Sequence, residues 1–281
     1  MQNIVRKKLL VAVYDKAVTY LQNTVESNKF LKNECNLENY FEPVKRSQSM
    51  ETVADQLFVS LQNRTMAGNV IGYCKTDRNA TFKKIFLNCD INAILQTYDE
   101  NSLMSTFENN FPITHKNERK NLWQQYAESV ISGCTFLSAF DSWQSFDRFV
   151  TTFIGNKYTA LALPLLLSKE IKGFGFALSC DFLKELGYTY FPKPDVHIKD
   201  ILYGISLCKN NELDAFKTVV EIANATGETA YKVDKILWLI ASGRFYLQRI
   251  QTAKREDDYV IKGSPEKRKK DFIEFVKAEI M

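Results

Sequence analysis

Apolar side chains recur at spacings of three and four along most of this chain, the mark of helices that bury one face. Val5, Leu9, Ala12, Val13, Ala17, Tyr20 and Leu21 predict a first helix over residues 4–26. A polar stretch broken by Pro43 follows, read as a connection over 27–50 with a short turn of helix. From Met50, Val53, Leu57, Phe58 and Leu61 line the inner face of a second helix, which the polar run "QNRT" interrupts. Short helices are expected from there to Pro112, and the link "ITHKNERKN" around 112–121 marks a soft boundary between an N-terminal lobe, 1–115, and a second lobe, 116–281. "LWQQYAESVISGCTFLSAF" again has helical spacing.

Beyond it the punctuation sharpens. Pro164 lacks an amide hydrogen and crowds the preceding turn, so a helix is expected to begin or kink there, leaving Leu165–Ile171 as a short buried helix. A second spans Phe176–Leu186 with Gly187 as left-handed terminator. Further helices are predicted from Val196 to about Cys208, over 213–225 and over 229–242 with Gly243 as stop; a last one is capped by Ser264 with Pro265 in its first turn. Eleven glycines and six prolines in 281 residues favour long helices over turn-rich strands, so the fold class is all-α.

Composition narrows the function little. Thirty-seven basic against 33 acidic side chains give a net charge of +4, which permits a polyanionic partner without requiring one. Cys35, Cys74, Cys89, Cys134, Cys180 and Cys208 are scattered, with no CxxC pair and no nearby histidine to complete a zinc set, so free thiols and no metal are expected. The amphipathic start lacks a small-residue cleavage site, and no stretch reaches the roughly 20 apolar residues that span a bilayer. A cytoplasmic monomer with no membrane partner and no cofactor is the expectation.

The most informative stretch is "GFGFALSCDFLKELGYTYFPKPDVH", residues 173–197. Glycines at 173 and 175 permit positive φ and let another chain approach the peptide. The amides that open the following helix, near Phe176–Ser179, stand at the positive end of its dipole, where an oxyanion fits. A hairpin of this kind offers a nucleic-acid phosphate a sequence-blind clamp. Taken alone, Gly173 and Gly175 would mean only a helix end and a tight turn.

Pro192 and Pro194 hold the next corner extended and deliver Asp195 in a fixed direction at the mouth of a helix. Helix capping explains an aspartate there without any chemistry. The same fixed, ionised carboxylate also suits cleavage of an N-glycosidic bond, where it stabilises positive charge on the sugar and orients or deprotonates the attacking water.

The stretch "KGFGFALSCDFLKELGYTYFPKPDVH" resembles the signature of the helix-hairpin-helix Gly/Pro-Asp superfamily of DNA base-excision glycosylases. The resemblance covers about 40 residues, Leu165–Cys208, and implies a two-lobed, all-α glycosylase-like fold with the helix-hairpin-helix at 165–187 and the catalytic corner at 191–197. It implies that Gly173 and Gly175 grip DNA and that Asp195 is the catalytic carboxylate. His197 matches the Asp-x-His form of the 8-oxoguanine branch. Members that also cut the strand carry a Schiff-base lysine two residues past the second hairpin glycine; Ala177 stands here, so a monofunctional enzyme is implied. The four clustered C-terminal cysteines of the iron-sulfur branch are absent as well.

An enzyme of this type rotates its target base out of the duplex and fills the gap. "FVSLQNRTMAGNV" resembles the place of the family's wedge, which makes Gln62, Asn63 and Arg64 candidates. Lys172, Lys193 and Ser179 flank the hairpin and corner as candidate phosphate contacts. Trp143, Tyr188, Tyr190, Phe191 and Trp238 are aromatics that would suit either a base pocket or the core. The run "EKRKK" reads as an ordinary helix face. The expected partner is double-stranded DNA carrying a damaged or modified base. A non-catalytic DNA-binding or lesion-sensing protein, with Asp195 only a cap, is the alternative, and a helical protein-interaction domain is a third reading.

Overall fold

The structure, a computed structural model, describes residues 2–64, 68–113, 121–247 and 259–280. Among them every regular element is helical, and the only β-type pairings are two isolated bridges. The fold is all-α. No helix is long and apolar enough to cross a membrane, and the six cysteines are free thiols. Among the described residues, no three His, Cys, Asp or Glu side chains are grouped so that they could hold a metal ion.

Two compact units divide the chain. The first is continuous, residues 45–188; the second joins residues 1–44 to 189–281. This division does not coincide with the boundary expected at 115/116. The polar link read there lies within the continuous unit, and most of it, 114–120, falls outside the described residues. Local polarity marks a surface connection; which segments share a core depends on contacts between distant positions.

In the second unit, helix α1 (Gln2–Ser27) packs along α14 (Glu212–Thr226), α15 (Ala230–Ser242) and α16 (Pro265–Ile280). The expected connection over 27–50 holds two short turns, α2 (Leu31–Glu34) and α3 (Glu38–Phe41). Helix α13 (Val196–Gly204) ends four residues before Cys208, where the sequence pattern ended it. At Gly204 the side chain of Ile273 from α16 fills the place a Cβ would take.

The run "EKRKK" is not a solvated face throughout, because Arg268 and Lys269 are buried. The Arg268 guanidinium donates to Ala241 O at 3.0 Å, Ser242 O at 2.6 Å, Ile261 O at 2.8 Å and Gly263 O. Two of these are orphan carbonyls at the C-terminal end of α15, where a cation also meets the negative end of the helix dipole. Lys269 donates to Asp200 Oδ2 at 2.6 Å, and Lys267 and Lys270 pair with Asp271 and Glu274 within their own helix.

The continuous unit holds α4 (Met50–Leu61), α5 (Gly68–Ile71), α6 (Thr76–Ile85), a 3-10 turn (Leu87–Cys89), α7 (Ile91–Thr97), α8 (Glu100–Asn110), α9 (Leu122–Leu137), α10 (Trp143–Thr152), α11 (Lys157–Glu170) and α12 (Phe176–Glu185). Its core is aromatic: Phe58 lies 4.5 Å from Phe86 and Phe82 lies 4.7 Å from Phe111, ring centre to ring centre. Gly133 lets α9 close on α4, since a Cβ there would stand 2.7 Å from Leu57.

Helix α11 does not begin at Pro164. It starts seven residues earlier, where Asn156 accepts from the amides of Tyr158 and Thr159, and Thr159 Oγ1 accepts from the Asn156 amide in return. This capping box sets the start, and the proline is carried inside the helix at the cost of one backbone hydrogen bond.

Replacing Arg268 by Met should strand its carbonyl partners and destabilise the protein by about 3 kcal/mol. Lys270→Met should change stability by less than about 0.5 kcal/mol. Urea denaturation of the two variants tests this contrast.

Candidate nucleic-acid interface and active site

The hairpin between α11 and α12 is built around the residue between its glycines. Phe174 is 1 % exposed and turns inward, 5.9 Å from the ring of Phe182. Gly173 and Gly175 are both exposed. Hydrophobic burial therefore anchors the loop by its middle residue and leaves the flanking peptides at the surface.

The two glycines are required for different reasons. Gly173 has φ +70°, in the left-handed region, and a Cβ on it would collide with the Arg64 guanidinium. Gly175 has φ −67° and ψ 162°, extended backbone that any residue adopts, and a Cβ there would meet nothing within 4 Å. The positive φ that the sequence suggested at both is found only at Gly173. Nothing inside the protein demands glycine at 175.

Gly175 is also the N-cap of α12, and it provides no side-chain cap. Ser179, a candidate phosphate contact, is 0 % exposed. Its hydroxyl donates to Gly175 O at 3.1 Å, so it closes the first turn of α12 from within and has no outward path to a phosphate. Ala177, two residues past Gly175, is half-buried.

Lys172 is exposed, but its ammonium pairs with Glu100, and this contact holds its pKa above the ordinary lysine value. Its backbone amide donates to Ser132 Oγ at 2.9 Å, fastening the end of α11 to α9.

The three residues read as a wedge separate. Gln62 is 5 % exposed and turned inward, with Oε1 accepting from Tyr73 N at 2.9 Å and Nε2 donating to Cys74 Sγ at 3.0 Å. It fastens the loop after α4. Asn63 is exposed beside an open pocket of about 570 Å³ lined by Val59, Gly68, Asn69 and Lys75. Arg64 bends to the hairpin and lies against Gly173, with Nη1 at 3.4 Å from Ser129 Oγ.

In the other unit, Asp195 is the N-cap of α13. Its Oδ1 accepts from the amides of His197 at 2.9 Å and Ile198 at 3.2 Å. The corner before it is fastened by a residue the sequence analysis did not single out: Asp234 of α15, 2 % exposed, accepts from Lys193 N at 3.0 Å. A buried aspartate in an apolar helical run was the available signal, since such a charge needs a polar partner. Lys193 thus serves the corner through its backbone.

The imidazole of His197 is half-buried, and Nδ1 is buried with no hydrogen-bond partner. Burial holds its pKa below the ordinary value; Asp195 and Asp200 oppose that shift, and Lys269 and Arg268 reinforce it. Tyr188 and Phe191 are core residues, whereas Trp143, Tyr190 and Trp238 are partly exposed.

No protein-family model and no curated protein matches this chain. Two solved structures from Methanocaldococcus jannaschii are similar to it. One is an 8-oxoguanine glycosylase/lyase in complex with 15mer DNA containing 8-oxoguanine, 15 % identical, covering 87 % of this chain and 100 % of that one, with a TM-score of 0.45. The other is an 8-oxoguanine DNA glycosylase, also 15 % identical, covering 90 % and 96 %, with a TM-score of 0.41. At such scores neither likeness bears on the chemistry of this chain.

Two measurements check the geometry. Gly173→Ala should lower stability by about 2 kcal/mol through strain and displacement of Arg64, while Gly175→Ala should change it by less than about 1 kcal/mol; chemical denaturation separates them. Because the folded state depresses the His197 pKa, its contribution to stability is fully present above the ordinary imidazole range. It is lost as pH falls through that range towards the depressed value, since the unfolded chain binds the proton first. His197→Gln should therefore flatten the decline in stability as pH falls through and below the ordinary imidazole range, read by urea denaturation across a pH series.

Proposed function

We propose that this protein is a monofunctional DNA glycosylase that hydrolyses the N-glycosidic bond of a damaged or modified base rotated out of the duplex. The observation that carries the reading is Asp195, a carboxylate held by two backbone amides at the end of a prolyl corner that Asp234 fastens from the core. With Oδ1 engaged by the helix, the carboxylate is directed and cannot swing to another partner without uncapping α13. A fixed anion of this kind stabilises an oxocarbenium-like sugar and orients or deprotonates the attacking water.

The hairpin supports the same reading. Gly175 is free of any internal demand for glycine, and α12 begins on it without a side-chain cap. A phosphodiester approaching the exposed Gly175 peptide would meet no Cβ there, at the positive end of the α12 dipole. The chain's resemblance to the helix-hairpin-helix Gly/Pro-Asp glycosylases at these residues, with Ala177 in place of the lysine, favours direct attack by water over a covalent imine. The protein would act on DNA as a monomer in the cytoplasm, without metal or cofactor.

A second reading has one observation in its favour: capping alone accounts for Asp195. The protein would then bind DNA without cutting any bond. Asp195→Asn separates the two readings, because asparagine caps a helix about as well as aspartate. The expected outcome is unchanged stability, unchanged DNA affinity and loss of base release by at least about a thousandfold, a scale typical of losing electrostatic stabilisation. Base release is measured by mass spectrometry on duplexes carrying a panel of modified bases. Release by the variant at the unsubstituted rate would remove Asp195 from the mechanism, and no release from any duplex by either protein would favour the binding role.

A further inference from the structure

Among the cations near the hairpin, Arg64 and Lys172 differ in one respect that decides their use. Lys172 is neutralised by Glu100. Arg64 has no carboxylate within ion-pair distance among the described residues, and its one polar contact is the long Nη1–Ser129 Oγ approach. A guanidinium carries five donors in a rigid fork, so most of its capacity is unspent. Its pairing geometry suits a phosphate better than any group now beside it.

The position of that fork is not accidental to the fold. Arg64 sits just past the C-terminal end of α4, a helix that packs against α12, and its guanidinium occupies the space a Cβ of residue 173 would take. The left-handed turn at Gly173 thus makes room for a cation on the hairpin backbone, and two residues on the peptide at Gly175 faces open space.

We propose that Arg64 is a phosphodiester-binding residue of the hairpin, and that Glu100 withholds Lys172 from that role. The assignment moves Arg64 from the void-filling part expected of the "QNRT" turn to backbone contact, leaving Asn63 as the exposed residue of the three. It rests on the reading that this protein binds DNA, and deepens it by naming which cation meets the strand.

The test uses the full chain and an unmodified duplex, with affinity read by fluorescence anisotropy across a series of salt concentrations. Each phosphate neutralised contributes about 0.9 to the slope of log affinity against log salt. Arg64→Met, which keeps an unbranched aliphatic side chain at this position and removes the guanidinium, should lower the slope by about that amount and weaken binding roughly tenfold at low salt. Arg64→Gln should do the same. Lys172→Gln should leave the slope unchanged, and Glu100→Gln should steepen it by releasing the ammonium. Thermal melting of each variant checks that folding is preserved; two charge-removing variants guard against one that misfolds. A wild-type slope in the Arg64 variants, with DNA binding intact, overturns this assignment alone. Absence of any salt-sensitive DNA binding by the unsubstituted protein overturns both the assignment and the DNA-binding reading beneath it.

Discussion

Each helix leaves amide hydrogens at its start that its own backbone does not satisfy, and a chain built only of helices must answer that need many times. Here side chains do most of the answering: Ser49, Asp90, Asp99, Asn121, Ser142, Asn156, Asn211, Thr229 and Ser264 each accept from the first turn of the helix they precede. The two candidate elements, one in each unit, use the same chemistry in opposite forms. At α13 the need is met by Asp195, and the carboxylate is immobilised as a result. At α12 it meets an exposed glycine with no side-chain cap.

Both forms depend on burial elsewhere. The hairpin keeps its shape because Phe174 is driven into the aromatic core, so the glycines beside it occupy the surface without being free to wander. The corner keeps its shape because a buried carboxylate, Asp234, takes the Lys193 amide. An apolar anchor in one case and a buried acceptor in the other convert the stability of the core into the direction of an exposed group. Arg268 does comparable work for the end of α15, where its guanidinium collects carbonyls from two segments of chain.

Helix positions were legible because they follow from local spacing and punctuation. The starts at Met50, Phe176 and Val196 and the glycine stops at 187 and 243 match the structure, with Gly187 at φ +89° and Gly243 at φ +62°. The failures are equally physical. Pro164 suggested a start, but the capping box at Asn156 and Thr159 outweighs one missing hydrogen bond. Gln62 and Ser179, polar by composition, point inward because each finds a buried partner in Tyr73 or Gly175. The lobe boundary at 115/116 followed a polar link, whereas the compact units follow contacts that reach across more than a hundred residues.

The amino-acid order by itself determined most helix positions, the glycine stops at 187 and 243, the Ser264 cap and the aspartate at the mouth of a helix, because each depends on residues within a turn or two of one another. Only the tertiary structure decided which cation lies on the hairpin, which is taken by Glu100, and that Asp234 fastens the corner, because those partners are tens of residues apart in sequence. Charge pairing and burial act through space, and a polar side chain carries no mark of whether its partner will be water or a distant segment of its own chain.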